Sequence, residues 1–214
     1  MHVCGEIDRM VDKSQINQTL LTILPETNYY VTYELMNTII AYQRVWSEFS
    51  TWMRNFMYST VNNSPDLAAV TNRLYITQTD FYNLFRVFYG PEVSQYFSNL
   101  LLSFITSATS VINGVTNNDQ GAVNASTILW YQNADSLAAF LAQINPFWDE
   151  RQWKNLFYQY IALSNQAITS TVGGNFEQEI AINNRLQDLT YILGSYMARG
   201  IIARNATIPP EGQK

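Results

Sequence analysis

The chain has 214 residues, enough for one sizeable hydrophobic core, and 47 % of them are hydrophobic. Only 14 % are charged, against about 25 % in an average soluble domain. The net charge is −5 and no run of Lys or Arg is present, which excludes the basic surface that nucleic-acid binding requires.

Residues 1–28 have no sustained helical periodicity and are predicted to form an N-terminal arm. Residues 1–13 lack the apolar core of a signal peptide, and no stretch reaches the ~18 apolar residues of a membrane span. We therefore predict neither a signal peptide nor a membrane span, and the cellular location of the protein stays open. The single cysteine, Cys4, excludes an internal disulfide. The arm also carries an apolar cluster that needs cover from the bundle or from a neighbouring subunit: Leu20, Leu21, Ile23 and Leu24.

Apolar residues that step by three and four predict six helices within a bundle domain at residues 29–204. Breaking sequences separate these helices at 62–65, 90–91, 113–121, 145–146 and 173–174. Short connections of this kind favour antiparallel neighbours. Residues 205–214 are predicted to be a C-terminal tail.

Residue types at the breaks predict where individual helices begin and end. Ser64 before Pro65 is typical of an N-cap that precedes a first-turn proline, so the second helix should begin there. Asn145-Pro146 should begin the fifth helix, and Gly173-Gly174 should end it.

The pattern repeats about every 55 residues, which indicates one structural unit used several times. Leu74 and Asp80 match Leu129 and Asp135, and Pro91 matches Pro146. Because the pattern of each 55-residue unit predicts a pair of helices, the predicted fold is all-α. We expect a six-helix antiparallel bundle of three helical hairpins, in an up-and-down, ferritin-like style.

A further matched position of the repeat holds Phe49, Phe104 and Tyr160. Each lies in an apolar stripe of an odd-numbered helix, so we expect the three rings to be buried against the even-numbered helices. The fourth helix is predicted to bury Leu129, Leu137, Phe140, Leu141 and Ile144.

Catalytic motifs are scarce. The chain has no phosphate-binding glycine loop, and its one histidine, His2, lies in the arm. Asp80 and Asp135 are either paired carboxylates that face each other across the core, or structural residues bonded to an Arg, a Tyr hydroxyl or a helix end. The structural interpretation is favoured because a buried carboxylate needs a partner, and Arg54 and Arg73 are candidates. We predict no catalytic, metal-binding or cofactor-binding residue and no cofactor.

The segment 130–161 contains WYQNAD (130–135) and INPFW (144–148), and VWSEFSTWMR (45–54) and PDLAAVTNRL (65–74) precede it. With these motifs the chain resembles a family of small all-helical proteins from spore-forming Firmicutes, over about residues 45–201. Members of that family often carry the name acetylglutamate kinase, but this chain has no kinase motif. The resemblance implies an all-helical fold and an association with spores.

Members of that family carry a histidine in each odd-numbered helix, at the positions that hold Phe49, Phe104 and Tyr160 here. Three histidines near carboxylates on facing helices would suit a metal. Since aromatic residues replace all three, the resemblance implies a retained scaffold without such a site. Five residues match the family pattern and imply a shared packing role: Trp52, Arg54, Asp80, Asp135 and Trp148.

Three hypotheses for the function follow. The first is a non-enzymatic structural protein that self-associates as a homo-oligomer, filament or coat subunit, or binds a protein partner, because its surface is polar and nearly neutral. The second is a ferritin-like metal- or small-ligand-binding protein, which rests on the bundle and on Asp80 and Asp135. The third, a spore-associated protein, rests on the resemblance alone, and a cell- or spore-surface location would suit the first or the third.

Overall fold

The computed structural model describes residues 32–207, which form five α-helices and no β-strand. The helices are α1 (Tyr33–Val61), α2 (Leu67–Thr116), α3 (Gln120–Ile144), α4 (Glu150–Val172) and α5 (Phe176–Thr207). They form a helical bundle around a hydrophobic core, so the predicted all-α class is confirmed. The predicted arm at 1–28, with Cys4 and its apolar cluster, lies outside the described residues. Of the predicted tail, residues 205–207 belong to α5 instead.

No helix within residues 32–207 combines the length and the apolar character that a membrane crossing requires. Thr32 caps the first turn of α1, since its hydroxyl oxygen accepts a hydrogen bond from the Leu35 amide at 3.2 Å. The contacts described below all lie within residues 37–207.

The structure differs from the predicted six helices at Gly90. Segments 67–89 and 91–116 follow each other without a loop and together form the 50-residue helix α2. Gly90 interrupts it with a φ of 74° and a ψ of 175°, a conformation that glycine adopts readily and other residues adopt under strain. Pro91 then begins the next segment, where its missing N–H has no helical partner to lose. The break is where the sequence predicts it, but it is one residue long.

The ends of α1, α2 and α4 share one local geometry. The residue after each C-cap has a positive φ, and the amide of the next residue donates to the carbonyl five positions earlier at 2.8–2.9 Å. These features define a Schellman motif, which favours Gly or Asn at the left-handed position. The left-handed residues are Asn63, Asn118 and Gly174. The predicted end of a helix at Gly173-Gly174 is confirmed.

Two helices begin later than the sequence predicts. Ser64 is not the N-cap of α2, because its amide closes the Schellman motif and its carbonyl accepts from Leu67; Asp66 is the N-cap. Asn145 is not the N-cap of α4, because its side chain accepts from the Phe147 amide at 3.0 Å in a local turn. Asp149 caps α4 and accepts from the Gln152 amide at 2.8 Å.

Buried side chains in α2, α3 and α5 recur at a spacing of 56 residues. The spacing predicted between α2 and α3 was 55 residues. Leu129, predicted to be buried, is 52 % exposed, and its neighbour Trp130, 56 positions after Leu74, is buried. One residue turns a helix by about 100°, so a shift of one moves a side chain from the core to the solvent. Phe140 and Ile144 are only partly buried.

Asp135 does not follow this spacing, because Ser136 is the residue 56 positions after Asp80. The buried sets with this spacing are Leu74, Trp130 and Leu186; Phe81, Leu137 and Leu193; and Phe85, Leu141 and Met197.

Helices α1 and α5 lie antiparallel and in close contact. Gln43 donates a hydrogen bond to Ser195 and Ser47 donates one to Gln187, both at 2.8 Å. The later residue of α1 thus pairs with the earlier residue of α5, so the two helices run in opposite directions. The backbones approach most closely at Gly194, where a Cβ atom would lie 2.5 Å from Cα of Gln43. Only glycine fits this crossing without a shift of the backbone.

Gly194→Ala should therefore lower the free energy of unfolding by about 1–3 kcal/mol, because the added methyl group forces α1 and α5 apart. Urea denaturation followed by circular dichroism measures this change. Gly121→Ala is the matched control: its Cβ would meet only Oδ1 of Asp119, at 3.4 Å, and the variant should be as stable as the parent or more stable. Equal stability of the two variants would contradict the close crossing.

Candidate functional site

Three aromatic side chains from three different helices meet at the centre of the bundle. Phe49 of α1, Phe104 of α2 and Tyr160 of α4 are each at most 1 % exposed, which confirms their predicted burial. The ring centroids are 6.4 Å apart for Phe49 and Phe104, 5.6 Å for Phe49 and Tyr160, and 6.2 Å for Phe104 and Tyr160. We call these residues the aromatic triad. Its members pack on each other, which the sequence did not predict, as well as on residues of other helices.

Further rings surround the triad and fill the space between the helices. Trp130 of α3 meets Phe104 edge-on at 5.6 Å, and Trp46 of α1 meets Phe49 in the same way at 6.0 Å. Edge-to-face contacts of this kind add to the stability that burial provides. The triad positions are therefore occupied by a packed aromatic cluster.

A cavity of about 20 Å³ lies beside Tyr160. All five helices contribute to its wall, with Met57, Ile112, Trp130, Tyr160, Ser164 and Asn183 among the lining residues. Two of the lining residues carry a buried polar atom that has no hydrogen-bond partner within the described part of the protein: Trp130 Nε1 and Asn183 Oδ1. The Tyr160 hydroxyl faces Ser50 and Ser164, and burial raises the pKa of Tyr160 far above its usual 10.

A buried ion pair forms one side of the same cavity. Glu179 of α5 is fully buried, and its carboxylate accepts two hydrogen bonds from the Arg54 guanidinium at 2.7 Å each and one from the Tyr58 hydroxyl at 2.8 Å. Burial raises the pKa of Glu179, but the hydrogen bonds from Arg54 and Tyr58 and the charge of Arg54 outweigh it, so the pKa lies below the usual 4.5. The paired carboxylate is therefore ionised at neutral pH.

Asp80 and Asp135 are not a facing pair in the core. Their side chains are 35 % and 42 % exposed, and each belongs to a different surface ion pair. Asp80 accepts from Arg73 at 3.0 Å, while Asp135 accepts from the Tyr158 hydroxyl at 2.8 Å and lies 3.5 Å from Lys154. An Arg and a Tyr hydroxyl are the kinds of partner that the structural interpretation expects.

The other residues that carry the resemblance have packing contacts. The Arg73 guanidinium lies over the ring of Trp52, with its central carbon 5.4 Å from the ring centroid. Arg54, a candidate partner for the aspartates, pairs with Glu179 instead. Trp148 is buried, donates from Nε1 to the Tyr196 carbonyl at 3.3 Å, and packs so tightly on Gly200 that any Cβ there would overlap the indole.

Within residues 32–207, no three His, Cys, Asp or Glu side chains lie close enough together to hold a metal ion. His2 lies outside the described residues. The site offers hydrogen bonds and one ion pair. The pKa of Glu179 is lowered and the pKa values of Tyr160, Tyr58 and Arg54 are raised, so none of these four groups is poised to exchange a proton near neutral pH.

Comparison of the chain with protein-family profiles, with curated proteins and with solved structures gives no match.

Glu179→Gln should make stability less dependent on pH in the acidic range. Since the folded pKa of Glu179 is lower than the unfolded one, its stabilisation is complete above the unfolded value of about 4.5 and is lost as the pH falls through the folded pKa. At neutral pH the variant should lose about 1–3 kcal/mol, less than for a fully buried pair, because Arg54 remains 33 % exposed.

Urea denaturation at a series of pH values measures this difference, which should shrink from neutral pH to about pH 3. Glu48→Gln is the control, because it removes a surface ion pair to Arg73 that contributes little. A difference between parent and Glu179→Gln that stays constant with pH would contradict the role of the ion pair.

The triple variant Phe49→His, Phe104→His, Tyr160→His should be destabilised by at least about 3 kcal/mol and should bind no metal. It places three polar imidazoles in a centre filled by aromatic rings, where the Ser50 and Ser164 hydroxyls face Tyr160. Denaturation and elemental analysis after exposure to zinc measure the two effects. The control variant changes three exposed aromatic residues to histidine: Phe147, Phe176 and Tyr191. A stable triple variant that takes up zinc would contradict a purely packing role for the triad.

Proposed function

We propose that this protein is a non-enzymatic helical protein that works by self-association. The observation that carries the proposal is the distribution of charge. No Lys, Arg or His occurs between Arg86 and Arg151, and residues 91–144 contain only three charged residues, Glu92, Asp119 and Asp135. Segment 91–116 and α3 thus expose a surface almost without charge, while segment 67–89 and the helices α1, α4 and α5 carry the cations of the described chain.

This surface is continuous across the two helices. Asn133 of α3 donates to the Ser103 carbonyl at 3.1 Å and to the Ser107 hydroxyl at 2.7 Å, and the rings of Tyr96 and Phe140 lie 4.9 Å apart. We call it the neutral face: the exposed uncharged residues of segment 91–116 and α3, among them Tyr96, Asn99, Leu102, Ile128, Leu129 and Gln132.

A second copy of this chain is the occupant that the charges favour. With a net charge of −5, two copies repel each other, and the repulsion is weakest where the two neutral faces meet. Amide and hydroxyl side chains both donate and accept hydrogen bonds, so the face is complementary to itself in a two-fold contact. The exposed apolar side chains supply area that leaves water on contact.

The interior supports a role without catalysis. The aromatic triad fills the centre of the bundle. The cavity beside Tyr160 has a volume of about 20 Å³, which is far below the ~300 Å³ of an ordinary ligand pocket. Glu179 is held as a paired carboxylate and Tyr160 as a neutral phenol, so neither suits general acid–base catalysis near neutral pH.

We also propose that the bundle consists of three related antiparallel hairpins, with α2 contributing one segment to each of the first two. Support comes from the three Schellman motifs and from buried residues that recur at 55 or 56 positions. The neutral face would then be the outer surface of the middle hairpin.

The alternative of a ferritin-like metal- or small-ligand-binding protein has less support, because Asp80 and Asp135 lie in separate surface ion pairs. A spore-associated role, a filament or coat subunit, and a cell- or spore-surface location stay predictions that rest on the resemblance or on the hypothesis of assembly.

The variant Ile128→Glu, Leu129→Glu should abolish self-association by placing like charges in the contact. Sedimentation velocity over a range of protein concentrations should give a dimer or larger species for the parent and a monomer for the variant. Ile76→Glu, Ile180→Glu is the matched control, since these two residues are exposed to a similar extent outside the neutral face, and it should associate like the parent. A parent that stays monomeric at high concentration would overturn the proposal.

A further inference from the structure

Three residues in the wall of the cavity beside Tyr160 carry buried polar atoms: Trp130, Ser164 and Asn183. Trp130 is completely buried and its Nε1 has no hydrogen-bond partner within the described protein, while Oγ of Ser164, a residue that is 6 % exposed, faces the Tyr160 hydroxyl. Oδ1 of Asn183 is likewise buried without a partner. Buried polar atoms in folded proteins are almost always hydrogen-bonded, to protein or to ordered water.

We propose that this cavity is a binding site for one structural water molecule that joins α3, α4 and α5. The hydrogen-bonding roles of the three atoms are complementary to a single water. The Trp130 indole only donates, the Asn183 oxygen only accepts, and the Ser164 hydroxyl does both. A water molecule can accept from Trp130, donate to Asn183 and complete its set with Ser164.

The size and chemistry of the cavity restrict the ligand to water. Its volume of about 20 Å³ exceeds the ~10–15 Å³ that one water needs and leaves no room for an organic ligand. The indole N–H of Trp130 can only donate a hydrogen bond, which disfavours a cation, and the oxygen of Asn183 disfavours an anion. The nearby charges, Arg54 and Glu179, already neutralise each other.

Two other tryptophans provide an internal comparison. Nε1 of Trp46 and Nε1 of Trp153 are also buried without a partner, but neither residue lines this cavity. Aromatic rings crowd both indoles, with Phe81 4.8 Å from Trp46 and Phe157 5.4 Å from Trp153. These two indole groups should therefore be dry, while that of Trp130 should contact water.

Nuclear magnetic resonance of the full chain tests the proposal. Magnetisation transfer from water to the indole N–H groups should give a cross peak of a long-lived water at Trp130 and none at Trp46 or Trp153. The variants Trp46→Phe, Trp130→Phe and Trp153→Phe assign the three signals. A missing cross peak at Trp130 in the folded parent, or equal cross peaks at all three indoles, would overturn the proposal.

Asn183→Leu supplies a second test, because it fills the cavity with an apolar side chain and should remove the Trp130 cross peak. Ser164→Ala leaves two of the three partners and should retain the cross peak with faster exchange, which serves if Asn183→Leu does not fold. A crystal structure at high resolution should place one water within hydrogen-bond distance of the three atoms. An apolar, dry cavity or a larger bound molecule there would contradict the assignment.

Discussion

The contact between the three rings of the aromatic triad is the interaction on which the rest of this structure depends. Phe49, Phe104 and Tyr160 come from α1, α2 and α4, and each ring touches the other two. Burial of such a ring contributes about 2–3 kcal/mol, but only when the other two helices are in place to cover it. The triad therefore fixes the relative positions of three helices, and the cavity beside Tyr160 is the space that these rings leave unfilled.

The periodicity of apolar residues predicted the buried faces of α1, segment 91–116 and α4, which carry the aromatic triad, well. It predicted the buried face of α3, the helix after the second Schellman motif, less well. Phe49, Phe104 and Tyr160 are buried as predicted, because the apolar residues of their helices follow a simple step of three and four. The predicted burial of Leu129 is wrong, since the residue that faces the core lies 56 and not 55 positions after Leu74. Asn63, the left-handed residue of the first Schellman motif, precedes the buried Leu74 by 11 residues, whereas Asn118 of the second motif precedes the buried Trp130 by 12. The second segment is thus one residue longer between its Schellman motif and its buried residue. Turns absorb such insertions, and a fixed period cannot locate them.

The polar groups of the interior were partly visible in the sequence. Glu179 stands three residues before Ile182 and seven before Leu186, on the apolar face of α5, and a carboxylate in that position signals a buried charge. Its partner, Arg54, lies 125 positions away, and only the packing of α1 against α5 identifies it. The cavity could not be predicted, because it depends on how closely five helices approach. The sequence predicted the kinds of partner that Asp80 and Asp135 have. It could not predict that both are exposed, because this depends on which side of each helix faces the core.

The single residue that interrupts α2 gives the chain a hinge. If Gly90 took helical angles, the 50 residues of α2 would form one helix about 75 Å long with a kink at Pro91, whose ring would meet the carbonyl of Val87. The segments on either side could then no longer fold back onto one core, and each would have to complete its packing with the segment of another copy. Such an exchange of identical elements is domain swapping. Pro91 opposes it, because a proline disfavours helical angles in the residue before it and cannot donate a helical hydrogen bond. Gly90 and Pro91 together thus keep the two halves of α2 packed within one chain.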